Sequence, residues 1–313
     1  MTEVRVAVSA TSFAKSEILR NELESVFPDV YYSHKDCNEE ELIHFLQKAD
    51  ALIIGKEPLT EKVLKACPSL KVVSKYGVGL DNIDQDACQR SKVKFHFKKG
   101  VNALSVAEQS LGFMLNLSHR LSQQSQLMKA GIWQKAGGWQ LSQKTIGIIG
   151  VGHVGKALIQ LLKPFDCKIL VNDIIDQQAY YTSADVKEVS KETIYALSDI
   201  ISLHTPLTKE TQGLMNKKVF KKIKQSAYII NTARGQIINE KDLYEALMSK
   251  DFAGIAMDVY EEEPCLKEKF LALPQVFCTP HIAGNSQEAI LNMGRAAIDG
   301  LKSTFNSVQD PVN

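Results

Sequence analysis

The stretch TIGIIGVGHVGKALIQLLKPF, Thr145 to Phe165, leaves this chain little choice of fold. Thr145 to Gly150 is an apolar run of the kind buried in a parallel sheet, and Val154 to Leu162 reads as an apolar helix. Between them Gly150, Gly152 and Gly155 spell GxGxxG. Alone that motif is weak; between a strand and a helix it is specific. Gly150 allows the tight turn, Gly152 lets the backbone approach a pyrophosphate, and Gly155 lets helix and strand pack closely. The helix start at His153 and Val154 offers N–H groups and the positive end of the helix dipole to phosphate. The next apolar run, Lys168 to Asp173, ends in an acid 23 residues after Gly150. Asp173 can accept hydrogen bonds from ribose hydroxyls and would repel a 2′-phosphate, so the unit predicts NAD rather than NADP. The bland alternative is a coincidental strand–helix turn.

The same alternation runs through most of the chain. Val4 to Ala10, Ala51 to Gly55, Leu70 to Gly79 and Lys92 to Phe97 read as strands separated by helical stretches such as Ala14 to Val26. A long helical segment, Ser105 to Lys129, is followed by the irregular AGIWQKAGGWQLSQ, where the pattern places the start of a second α/β unit. Further strands are expected at Asp199 to His204, Ala227 to Thr232, Ala253 to Val259 and Val276 to Pro280, with a final helix from Gln287 to Phe305. The expected class is α/β with parallel sheets. A length of 313 residues suits about two domains.

A net charge of +1 gives no reason to expect a polyanionic partner. The basic run KKVFKKIK, Lys217 to Lys224, reads as a solvated helix face, with a nucleic-acid patch as the alternative. The six cysteines form no CxxC pair, which suits a reducing compartment better than a zinc site or a disulfide framework. MTEVRVAVSA lacks the basic start and long apolar region of a signal peptide, and no apolar run is long enough to span a bilayer. A soluble, cytoplasmic protein is expected.

In an open parallel sheet, ligands collect at the carboxyl ends of the strands. Four such ends carry polar groups here: His204, Thr205 and Pro206; Thr232, Ala233 and Arg234; Asp258 with Glu261 to Glu263; and His281 ahead of Gly284. A histidine can take the proton of a substrate hydroxyl, a carboxylate can orient it, and an arginine can bind a substrate carboxylate in a bidentate pair. Each residue also has a plainer reading: a structural histidine, a solvated glutamate run, a loop arginine. His204 reads as part of a cofactor-side loop, His281 as the acid/base. Their conjunction with the glycine loop favours a site.

Nearly the whole chain resembles the D-isomer-specific 2-hydroxyacid dehydrogenase family. The resemblance rests on YGVGLDNID (Tyr76 to Asp84), NALSVAE (Asn102 to Glu108), IGIIGVGHVG, LHTPLTKETQGLMN (Leu203 to Asn216), NTARG (Asn231 to Gly235), AMDVYEEEP (Ala256 to Pro264) and PHIAG (Pro280 to Gly284). It implies two doubly wound domains, with a Rossmann NAD-binding domain (102–285) inserted in a flavodoxin-like substrate domain (1–101 and 286–313) and the catalytic cleft between them. It further implies His281 as acid/base, Glu263 as its partner and Arg234 as substrate anchor. The backbone amides of Gly77, Val78 and Gly79 would hold the substrate carboxylate, Asp258 would meet the nicotinamide amide, and Thr232 and Ala233 would contact the cofactor. Such enzymes are usually homodimers, with the long helix and Trp133 near the contact. Glu263 argues against a formate dehydrogenase, where glutamine fills that role. HFKKGVN before Ala103 departs from the Pro-Gly turn of many relatives, and Gln143 stands where a glycine is common.

The motif style most resembles 3-phosphoglycerate dehydrogenases, which would place the chain in serine synthesis. No regulatory extension follows the final helix, so serine feedback through such a domain is not expected. A phosphate would need cations beyond Arg234. Lys75 beside Tyr76, and Lys56 on a neighbouring strand end, are the candidates; both also read as solvated surface lysines. Hydroxypyruvate or glyoxylate reduction is the competing reading, with D-lactate weaker. Corepressor-type relatives that bind partner proteins in response to NAD(H) form a different class, to be distinguished by a peptide-docking groove. An inactive cofactor-binding scaffold is a further alternative, against which the complete Arg234, Glu263 and His281 set counts.

Overall fold

The computed structural model describes residues 4–306. It divides into two compact units, Met1–Asn102 with Asn285–Asn313, and Ala103–Gly284. The outermost residues of the first unit, 1–3 and 307–313, lie outside the described residues.

The first unit carries β1 (Arg5–Val8), β2 (Asp29–Tyr32), β3 (Ala51–Ile54), β4 (Val72–Lys75) and β5 (Lys94–His96). All pair in parallel, in the order β2-β1-β3-β4-β5. That is the flavodoxin-like order. Adjacent strand residues go to opposite faces. Leu52 and Val73 join Leu42 and Val63 on one side. Ile53 and Val72 join Phe13, Leu19, Ala297 and Leu301 on the other. Covered on both faces, β1 and β3 carry apolar residues side by side, so these runs are continuous rather than alternating.

The second unit carries β6 (Thr145–Ile149), β7 (Lys168–Asn172), β8 (Lys187–Glu188), β9 (Ile200–Leu203), β10 (Tyr228–Asn231), β11 (Gly254–Met257) and β12 (Val276–Cys278). The order is β12-β11-β10-β9-β6-β7-β8, again all parallel. Chain order reverses between β6 and β9, the switch point at which such sheets open a crevice for a dinucleotide. Two apolar layers flank the sheet. Ile201, Ile229, Ile255 and Met257 face one with Phe220, Leu243 and Leu247. Ile146, Ile148, Ile200, Ile230 and Ala256 face the other with Phe113, Met114, Leu158 and Leu162.

The long helical segment differs from expectation in two ways. It is two helices, Ala103–His119 and Leu121–Lys129, broken at Arg120, whose φ of 57° is left-handed. The Asn116 side chain accepts from the N–H of Ser122 at 2.8 Å and fixes the new start. The first helix also belongs to the second unit, on the side of the boundary that the resemblance implies and not where the strand–helix pattern alone placed it. Helical periodicity identifies an apolar face but not which sheet will cover it. The strands β2 and β8 lie at sheet edges and lack a buried apolar run. Within Lys217–Lys224 only Lys217–Phe220 is helical; Phe220 and Ile223 are its buried anchors, while Lys217 pairs with Glu245 at 2.9 Å. Among the described residues no helix is long and apolar enough to cross a membrane.

Candidate active site

The glycine loop leaves β6 at Gly150, with φ of 96°. A Cβ at this position would lie 2.6 Å from the carbonyl carbon and oxygen of His204. Gly150 therefore serves the turn and also lets the β9 exit press against it. A Cβ at Gly152 would meet nothing within 4 Å, so this side of the loop faces open space. The helix His153–Leu162 starts behind it with no side-chain cap, leaving its first N–H groups for an anion. Gly155 packs where a Cβ would stand 2.3 Å from the Gly150 oxygen.

Asp173 accepts from the N–H of Val151 at 2.6 Å and of Ile175 at 3.0 Å. The acid that would take the ribose thus also ties the β7 exit to the glycine loop. At the β9 exit, Thr205 has a buried Oγ1 with no hydrogen-bond partner among the described residues, and Pro206 is exposed. An open glycine turn, an uncapped helix start, an acid and a buried hydroxyl form a donor and acceptor set that fits a dinucleotide. His204 is held by Ser202, with Oγ and Nε2 2.8 Å apart. The residue keeps partial exposure, yet burial pushes its ring down to about 4. It is neutral at physiological pH and unsuited to exchanging a catalytic proton there.

The β10 exit delivers the arginine through a local turn. Asn231 is fully buried; its Oδ1 accepts from Ala233 N at 3.1 Å and its Nδ2 donates to the Arg234 carbonyl at 2.9 Å. At Gly235 a Cβ would fall 1.9 Å from the carbonyl carbon of Tyr260. Only a glycine lets this turn lie flat on the backbone that follows β11. Arg234 is half-buried, with Nη1 donating to the Ala233 carbonyl at 2.7 Å. Thr232 is engaged by Ser110, Oγ to Oγ1 at 3.0 Å.

The β11 and β12 exits bring the remaining groups together. His281 Nδ1 and Glu263 Oε2 are 2.7 Å apart. Glu263 Oε1 accepts from Tyr260 N at 3.1 Å. Partial burial raises the Glu263 carboxyl, but the hydrogen bond and charge of His281, the Tyr260 N–H and the charge of Arg234 outweigh it and hold the group below the ordinary carboxylate range. Glu263 is therefore an anion at neutral pH, and Arg234 is near enough to favour that state. The three adjacent glutamates have different work. Glu261 exchanges side-chain-to-backbone hydrogen bonds with Glu240, 3.0 and 2.6 Å, whereas Glu263 reaches the histidine.

Asp258 is fully buried. Its Oδ1 accepts from Gln109 Nε2 at 3.1 Å, Ile282 N at 2.9 Å and the Thr279 hydroxyl; its Oδ2 accepts from Ala283 N at 2.8 Å. This carboxylate orders the loop around His281. Gly284, at the end of the loop, is partly buried. Gln109, Thr279 and Ser105 escaped the sequence reading. The one signal for the helix residues is that Ser105 and Gln109 stand four apart, hence on one face of Ala103–His119.

In the first unit the chain leaves β4 into Gly77, with φ of 119°, and Val78 and Gly79 are partly buried. Lys75 is 6 % exposed, so it is not a solvated surface lysine. Its Nζ donates to the Gly55 carbonyl and to Asn82 Oδ1, the latter at 2.8 Å. Tyr76 is buried too, edge-on to Phe13 with ring centroids 5.9 Å apart. Lys56 is exposed and pairs with Asp36 at 2.7 Å.

The sequence model of the D-isomer specific 2-hydroxyacid dehydrogenase NAD binding domain matches residues 111–283. A D-3-phosphoglycerate dehydrogenase of Archaeoglobus fulgidus is 36% identical over 82% of this chain, which spans half of that protein's length. A glyoxylate reductase of Thermofilum pendens is 34% identical over 90% of this chain and 86% of its own. Among solved structures, D-lactate dehydrogenase of Escherichia coli superposes with a TM-score of 0.85 at 25% identity, covering 97% of this chain and 98% of that one.

The depressed His204 gives a test. A histidine held neutral by the fold binds its proton more readily when unfolded. Stability from this source is full above the ordinary histidine range and is lost as pH falls through it towards about 4. Thermal melting from pH 7 to 4.5 should show His204→Asn losing less stability than the parent, by a few kcal/mol at most. Parallel losses would contradict the burial of a neutral ring.

Proposed function

The chain belongs to the D-isomer-specific 2-hydroxyacid dehydrogenase family, and from that premise we propose that Arg234, Glu263 and His281 carry an NAD-dependent interconversion of a small, unphosphorylated 2-oxo acid and its D-2-hydroxy acid. The observation that carries the site reading is the 2.7 Å contact of His281 Nδ1 with Glu263 Oε2 beside the arginine turn. A carboxylate on Nδ1 selects the tautomer with its proton there and leaves Nε2 to exchange a proton with the substrate oxygen. In oxidation Nε2 takes the hydroxyl proton, and Glu263 stabilises the imidazolium that results. In reduction the imidazolium returns it to the oxygen of the former carbonyl. Arg234 binds the substrate carboxylate and polarises the carbonyl. NAD supplies the hydride acceptor, and NADH the donor. Gly150 to Gly155, Asp173 and Thr205 would hold the dinucleotide, and burial of His204 keeps a second titrating ring out of the reaction.

Lys75 supports the choice of an unphosphorylated acid. Its ammonium braces Gly55 and Asn82 within the first unit, and Lys56 is paired with Asp36. Hydroxypyruvate and glyoxylate need no phosphate-binding cation. Oxidation of 3-phosphoglycerate is the second reading, favoured by the motifs and by the phosphoglycerate dehydrogenase relative. We also propose a homodimer, because Leu121, Met128, Ile132 and Trp133 expose about half or more of their surface along the second helix and its following connection. Trp133→Glu should then shift the sedimentation of the chain towards a monomer; an unchanged profile would place the contact elsewhere.

NADH absorbance with hydroxypyruvate, glyoxylate, pyruvate and 3-phosphohydroxypyruvate tests the reading. Hydroxypyruvate or glyoxylate should give the highest kcat/KM; preference for the phosphorylated acid would restore the second reading. His281→Ala should lose turnover by about 100-fold or more while NADH still binds. Arg234→Ala should raise KM and also lower kcat. Near-parental turnover in His281→Ala would remove the acid/base role.

A further inference from the structure

The helix Ala103–His119 contributes nothing to the proposed chemistry, yet it reaches the strand exits with side chains. Ser105 Oγ donates to the Ala283 carbonyl at 2.6 Å. Gln109 Nε2 donates to Asp258 Oδ1 at 3.1 Å and to Thr279 Oγ1 at 3.0 Å. Four apart, Ser105 and Gln109 lie on one face of the helix, and they touch the histidine loop on either side of His281.

We propose that Ser105 and Gln109 are positioning residues that hold His281 in register with Glu263 and the reacting atoms. The proposal rests on the acid/base reading of His281 given above. The loop needs such a hold. His281 has φ of 55°. A left-handed conformation costs a side-chain-bearing residue about 1–2 kcal/mol, and persists where the surroundings over-determine it. Here they do. The Thr279 N–H is bound by the Met257 carbonyl, its own carbonyl by the Tyr260 hydroxyl, and its side chain by Asp258 and Gln109. Beyond the histidine, Ile282 and Ala283 give their N–H groups to Asp258, and the Ala283 carbonyl accepts from Ser105. Asp258 is the shared node, and Gln109 is the side chain that ties this node to the helix. Without that amide the carboxylate keeps its loop donors but loses the rigid element that orients it. A displacement of about 1 Å at a proton-transfer group costs up to about 100-fold in rate, so a fraction of that displacement suffices to be seen.

A double-mutant cycle separates positioning from general support. Gln109→Leu should lower kcat about tenfold, with KM and NADH affinity within about twofold of the parent. In an enzyme already lacking the imidazole, His281→Ala, the same change should have no further effect on the residual turnover, measured at high enzyme concentration. Ser105→Ala should behave in the same way with a smaller loss, and it covers the case in which Gln109→Leu folds poorly. An equal fall in both backgrounds, or an unchanged kcat for both variants, would overturn the proposal. Full turnover in His281→Ala alone would mark failure of the underlying acid/base reading, and the proposal would fall with it.

Discussion

The carboxylate of Asp258 is the interaction on which the rest of the site depends. It is fully buried, and an isolated buried charge would be prohibitively costly. Here each oxygen meets donors: two backbone N–H groups, a hydroxyl and an amide. Those donors come from the β12 exit and from a helix, while the acid itself ends β11. One residue therefore fixes the relation of three elements. The histidine loop inherits its shape from that relation, including a backbone conformation that local preference disfavours.

Around this node the site is assembled by sheet topology more than by any one loop. Parallel strands point their carboxyl ends the same way, so residues far apart in sequence arrive side by side. Close approach does the rest. Gly150 admits the β9 exit against the glycine turn, and Gly235 lays the arginine turn on the backbone after β11. A side chain at either position would collide with main chain rather than with a flexible tip. These two glycines act by what they leave out, and each brings a polar residue into place: His204 beside the cofactor loop, Arg234 beside Glu263.

Much of this was legible in the sequence. Continuous apolar runs announced strands covered on both faces, and the glycine motif between strand and helix announced the dinucleotide unit. The contact of Glu263 with His281 was expected from the motifs and is present. What stayed hidden has a common cause: it depends on partners remote in sequence. Periodicity could not say that the helix from Ala103 packs under the second sheet. Nor could it show that Asp258 is consumed by four protein donors. Lys75, on a strand end beside a glycine loop, also read as a surface group, yet it is buried and donates to Gly55 and Asn82. Gln109 belongs to no motif; its importance exists only once the fold places it against Asp258.

The most direct test of the account is the chirality of the product when the purified chain reduces hydroxypyruvate with NADH. The proposed roles of Arg234, Glu263 and His281, together with the D-isomer specificity of the family, predict D-glycerate, formed in a one-to-one ratio with NADH consumed. L-glycerate, or the absence of any product while NADH binds tightly, would contradict it.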